Sequence, residues 1–201
     1  MLKYKKTKLN KAAFPKQITA TTAPSVLTPA EQLRLISIPG DDFIMVRNKC
    51  IVSTILVSGL YAEEIIGLSN DDVDLDNDCI NCNGRKIPID LKLYHDIYQN
   101  WAMFRPISSQ VSESGLLFLT KNARPLTKRA LYRIVSETIT AAGINARQLG
   151  PDILRRTAIC NMFATGKTIE EVSATTGIDT LVSLQRYCGV DCAEPCKGNL
   201  C

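Results

Sequence analysis

The stretch that most constrains this chain runs from Asp152 to Tyr187. It reads Asp152-Ile-Leu-Arg155-Arg156-Thr157, an apolar-periodic run to Gly166, a second short run to Gly177, and then Gln185-Arg186-Tyr187. Glycines placed just past periodic runs mark helix ends. An arginine therefore opens one helix, and a tyrosine follows about thirty residues later, after two glycine-punctuated turns. Arginine presents a planar fork of donors that matches two phosphate oxygens. A tyrosine hydroxyl beside it can attack phosphorus and leave a covalent phosphotyrosine.

The remaining elements follow from local signals. Residues 1–26 are basic and polar, carry Pro15 and Pro24, and show no helical period, so they read as an arm. Thr28-Pro29-Ala30-Glu31 is a capping box with proline at the first helical position, and its helix stops near Pro39-Gly40. Asp41 and Asp42 open a longer helix to about Val57, with a wide apolar face. Ala62 to Leu68 predict a further short helix. Asn83-Gly84, between Cys79–Cys82 and Arg85–Ile89, is a two-residue hairpin signal. Helices are predicted over Leu91–Phe104 and from Thr127 to about Ala142, with a short strand at Leu116–Leu119 between them. The order predicts an α+β fold, mainly helical, with a small antiparallel sheet.

Several tempting sites fail on spacing. In the run Asp71, Asp72, Asp74, Asp76 and Asp78, a calcium loop would need glycine at its sixth position and glutamate at its twelfth. Counting from Asp72 or Asp74, the residues there are Asn77 or Cys79, and Asn83 or Arg85. The run reads as a solvated turn. Gly166-Lys167-Thr168 ends like a phosphate-binding loop, but Asn161 stands where its first glycine belongs. Eight cysteines without an apolar leader read as mostly free thiols. Cys188, Cys192, Cys196 and Cys201 are not spaced as a zinc site, so no metal and no cofactor is expected. His95, the single histidine, reads as an ordinary surface or half-buried residue.

Charge is uneven. Lys3, Lys5, Lys6, Lys8, Lys11 and Lys16 give the first thirty residues +6, leaving −2 for the rest of a chain whose net charge is +4. The arm is a candidate nucleic-acid contact or a solvated, charged start. The body is not a surface that coats DNA indiscriminately. No window is long and apolar enough for a membrane span, and the expected location is the cytoplasm, on the nucleoid.

The residues around Arg155 and Tyr187 resemble the C-terminal end of the tyrosine recombinase (phage integrase) family, whose pattern is His-x-Leu-Arg-His-Thr, then Leu-Gly-His, then a nucleophilic tyrosine nine residues on. The resemblance extends through Leu27-Thr28-Pro-Ala-Glu31, Ser58-Gly59-Leu60-Tyr61-Ala-Glu-Glu64, Asp72-Val73-Asp74-Leu75 and Phe118-Leu-Thr-Lys-Asn-Ala-Arg-Pro125-Leu126-Thr127. It covers residues 27–187, leaving 188–201 as a cysteine-containing tail. It implies the family's catalytic-domain fold. No counterpart of the family's usual helical N-terminal domain is expected, which resembles the short fimbrial phase-switch recombinases of catalytic domain alone.

By resemblance, Arg155 falls on the second catalytic arginine and Tyr187 on the nucleophile. Other positions depart from the pattern. Tyr61 stands at the first catalytic arginine, Asp152 at the acid/base histidine, Arg156 at the histidine after Arg155, and Ile178 at the later histidine or tryptophan. Lys86 is a loose candidate for the catalytic lysine, and Arg85 matches a strand arginine. The resemblance thus implies a partner, double-stranded DNA, met by Arg85, Lys86, Arg156, Lys121 and Arg124. Strand cleavage passes through a phosphorane with two anionic oxygens, and each lost preorganised donor costs about a hundredfold or more. Three readings stay open. One is a DNA-binding protein of a mobile element, impaired in cleavage. Another is a working recombinase that forms a 3′-phosphotyrosine at Tyr187, and the third is an interaction scaffold. The tail is a candidate for homo-oligomer contacts or for association with another recombinase.

Overall fold

A computed structural model describes residues 25–89, 92–104, 115–145 and 149–188. Most of the expected arm and all of the tail beyond Cys188 lie outside the described residues. Within them the elements are α1 (Pro29–Ile36), α2 (Phe43–Ser58), α3 (Ala62–Gly67), β1 (Val73–Asp74), β2 (Cys79–Cys82), β3 (Arg85–Pro88), α4 (Lys92–Phe104), α5 (Lys128–Ala141), α6 (Pro151–Ala164), α7 (Ile169–Thr176) and α8 (Leu181–Cys188). The mainly helical α+β fold with a small antiparallel sheet is what the sequence predicts.

The helices start where side chains can accept the free backbone N–H groups of a first turn. Thr28 Oγ1 accepts from Glu31 N at 3.3 Å while Glu31 Oε2 accepts from Thr28 N at 2.8 Å. Asp42 Oδ1 caps α2 through Ile44 N at 2.8 Å, and Thr127 Oγ1 caps α5 through Ala130 N at 3.1 Å. Thr168 and Glu171 form the reciprocal pair that opens α7.

The wide apolar face of α2 turns out to be nearly the whole helix. Val46, Cys50, Ile51, Val52 and Ile55 are buried together with Asn48, Ser53, Thr54 and Ser58. Helices α1, α3, α4, α5 and α6 pack around it. Thr54 Oγ1 donates to Cys50 O at 2.7 Å and lies 3.0 Å from the hydroxyl of buried Tyr94, whereas Ser53 Oγ is buried without a hydrogen-bond partner. The main core also takes in Trp101, Phe118, Leu131 and Leu154. A second, smaller cluster joins Ile159 and Met162 of α6 to Val172, Ile178 and Leu184.

The sheet order is β1-β2-β3, all antiparallel. Cys82 pairs with Arg85, so Asn83 (φ 50°) and Gly84 (φ 74°) make the predicted two-residue turn. The acidic run is a turn for most of its length. Asp72 Oδ2 accepts from Ser69 N at 2.7 Å, and Asp74 caps Asn77 N at 3.0 Å. Val73 and Asp74 nonetheless pair with β2, a third strand the sequence reading does not include. The predicted strand at Leu116–Leu119 is corrected: these residues make only isolated bridges, Ser69 to Leu116 and Leu119 to Pro125. The reason is where their hydrogen bonds go. Trp101 Nε1 donates to Leu117 O at 3.3 Å, Arg47 Nη1 donates to Leu119 O at 3.1 Å, and Pro125 has no N–H to continue a ladder.

Candidate active site

Arg155 lies on the inner face of α6 and is 1% exposed. Its Nη1 donates to Gly59 O at the end of α2, and its Nη2 donates to Thr176 O at the end of α7, at 3.0 Å. Both carbonyls stand where helices run out of internal partners. The Tyr61 ring covers the guanidinium, with its centroid 3.3 Å from Cζ, and the Tyr187 ring lies at 5.5 Å. Arg155 Nε is buried without a hydrogen-bond partner. Tyr61 thus stacks on Arg155.

A cleft of about 640 Å³ opens in front of this stack, lined by Tyr61, Tyr132, Asp152, Arg156 and Tyr187 together with Leu149 and Ser183. Each wall comes from a different element. Tyr61 precedes α3, where its N–H donates to Glu64 Oε2 at 2.9 Å. Tyr187 is half-buried on α8, against the smaller apolar cluster. Tyr132 on α5 donates its hydroxyl to Asp152 Oδ2 at 3.2 Å. Burial first, and the Asp152 carboxylate next, hold the Tyr132 phenol above its ordinary range. Gly150, with φ +156°, starts α6; a Cβ there would sit 3.2 Å from the Tyr132 ring. Arg156 Nη1 donates to Ser25 O at 3.0 Å, and the next residue's hydroxyl, Thr157 Oγ1, accepts from Leu27 N at 2.9 Å. The entering chain is thereby fastened to α6 beside the cleft.

The structure brings Arg155 and Tyr187 together with Arg156 on the same helix as Arg155, places Arg85 on the carbonyl next to the one Arg155 takes, and leaves Lys86, Lys121 and Arg124 on exposed surface. Arg85 was expected at DNA; it instead turns its guanidinium inward. Nη1 donates to Thr175 O at 2.7 Å, and Nη2 pairs with Glu64. Gly177, in the left-handed region at φ +70°, leaves room for it, since a Cβ would lie 3.1 Å from Arg85 Nη1. Lys86 is exposed on β3 opposite Asn81. Lys121 and Arg124 are exposed on the turn whose ends are tied by Thr120 N to Arg124 O at 2.8 Å. Ile178 is buried in the smaller cluster. Tyr132 carries no motif, and the one sequence signal near it is the Gly150-Pro151 helix start that it packs against. Among the described residues no group of three or more His, Cys, Asp or Glu side chains is placed to hold a metal. No helix among them is long and apolar enough to cross a membrane.

The architecture agrees with direct comparison. The phage integrase family model matches residues 25–194, so the chain belongs to the phage integrase family. Among curated relatives, tyrosine recombinase XerH of Campylobacter jejuni is 28% identical over 73% of this chain and 42% of its own length. Tyrosine recombinase XerC of Thermodesulfovibrio yellowstonii is 26% identical over 92% of this chain and 64% of its own. The chain therefore spans less than two thirds of the length of these relatives. The crystal structure of XerA recombinase superposes with a TM-score of 0.76 at 21% identity, over 90% of this chain and 63% of that one. The Tn1549 transposon integrase in complex with circular intermediate DNA superposes with a TM-score of 0.66 at 21% identity, over 86% and 62%. These likenesses establish the tyrosine recombinase catalytic-domain fold.

Proposed function

We propose that the chain is a double-stranded-DNA-binding member of its family, tied to recombination or integration of a mobile element, and impaired in strand cleavage. It would act in the cytoplasm, on the nucleoid. The state of Arg155 carries this reading. Both its Nη groups serve backbone carbonyls and its face lies under Tyr61, so the fork that would grip a phosphorane is engaged inside the protein. Asp152 adds a carboxylate to the cleft, where it repels a phosphate. DNA-bound relatives such as XerH with its difH substrate support duplex DNA as the partner. Exposed Lys86, Lys121 and Arg124, with Arg156 at the cleft, supply phosphate contacts; Arg85 is left out because its donors face inward.

The second reading, an active recombinase, is favoured by one observation: the Tyr187 ring lies 5.5 Å from the buried Arg155 guanidinium. A trapping assay decides between them. Nicked duplexes drawn from the chain's own genomic neighbourhood are offered to the protein and to Tyr187→Phe. The impaired reading expects salt-sensitive, sequence-selective binding and no covalent adduct. An adduct that requires Tyr187 would establish the active reading instead. Contacts that do not weaken with salt would point to a protein scaffold.

A further inference from the structure

The cleft is poorly furnished for a phosphate and well furnished for something flat. Three tyrosine rings from three separate elements, Tyr61, Tyr132 and Tyr187, line one space of about 640 Å³. Tyr61 is 37% exposed and Leu149 beside it 43%, so ring and aliphatic surface face the opening. Among the described residues, the charges lining the space are one carboxylate, Asp152, and one guanidinium, Arg156. These two charges oppose each other at the opening, and Arg155 behind the rings has both Nη groups engaged by backbone carbonyls. The inner wall already shows how these rings treat a planar group, since the Arg155 guanidinium lies 3.3 Å from one centroid and 5.5 Å from another.

Unpaired bases are held by stacking on aromatic side chains, and their edges are read by hydrogen bonds. Asp152, with one oxygen taking the Tyr132 hydroxyl, has a second oxygen to accept from an exocyclic amine. Thymine has no such amine; adenine, cytosine and guanine do. We infer that this cleft, resting on the reading of the chain as a DNA-binding protein, takes an unpaired, amine-bearing nucleobase of the bound DNA in place of a scissile phosphate.

The test is fluorescence anisotropy on the full chain with three labelled duplexes: fully matched, with one bulged cytosine, and with one bulged thymine. The cytosine bulge should bind about tenfold tighter than the matched duplex, the scale of one stacked base. The thymine bulge should show a smaller gain. Tyr132→Leu should erase the cytosine-bulge ratio and Tyr132→Phe should retain it, each variant first shown to melt cooperatively. A 2-aminopurine at the bulge should be quenched by the protein. Equal affinity for matched and bulged duplexes overturns this inference and leaves the DNA-binding reading standing. So does a bulge preference untouched by Tyr132→Leu, which would report DNA flexibility alone. Failure to bind any of the three overturns both.

Discussion

Arg155 is a structural bolt in the arrangement seen here. It joins the C-terminus of α2 to that of α7 through Gly59 O and Thr176 O. Removing it orphans two buried carbonyls and leaves a cavity beneath Tyr61. Arg155→Ala is expected to cost about 3 kcal/mol of stability, read as a lower urea midpoint. Tyr94 makes a contrasting case. Its hydroxyl meets Thr54 among the described residues, so Tyr94→Phe should cost about 1 kcal/mol. The sequence showed both Arg155 and Tyr187, because an arginine at a helix start and a tyrosine after two glycine stops form a spaced pattern. It could not show that Tyr61 lies over Arg155. They are separated by nearly a hundred residues, and no local signal links a tyrosine before one helix to the buried face of another.

Among elements, the β2–β3 hairpin is tied to its surroundings through Arg85, which links Glu64 of α3 and Thr175 of α7. The pair is largely shielded from solvent, at 17% and 12% exposure. Arg85→Ala should therefore lower stability by about 2 kcal/mol, less than for a fully buried pair. Lys86→Ala on the same strand should leave the melting temperature within experimental error while weakening duplex binding and its salt dependence. The hairpin itself was legible because Asn83-Gly84 dictates its turn. Which neighbour faced inward was not, since adjacent Arg85 and Lys86 are alike in charge and only the register places them on opposite faces. The strand expected at Leu116–Leu119 failed for a related reason. Apolar residues there are buried as predicted, but Trp101 and Arg47 claim the carbonyls that a ladder would have used.

Over the whole molecule, burial sets the response to alkali. Burial, foremost, raises Tyr94 well above the usual phenol range, and it raises the Cys50 and Cys82 thiols above their ordinary values. A raised folded-state value means that the folded protein holds its protons longer than the unfolded chain. The stabilisation is complete below the unfolded values of about 8.5 for thiols and about 10 for tyrosine. It is lost progressively as pH rises above them toward the folded ones. Urea midpoints should therefore fall steadily above about pH 9, and Cys50→Ala should flatten the thiol part of that decline. The division of the apolar residues into a large core around α2 and a small one beneath α7 and α8 has a different outcome. The small group shares no residue with the large one; α6 runs through both, and Arg155 and Arg85 bond the end of α7. Native-state hydrogen exchange should find the amides of α7 and α8 opening together, ahead of α2. The helix bearing Tyr187 is then expected to open with α7 as one unit while the helices around α2 keep their packing.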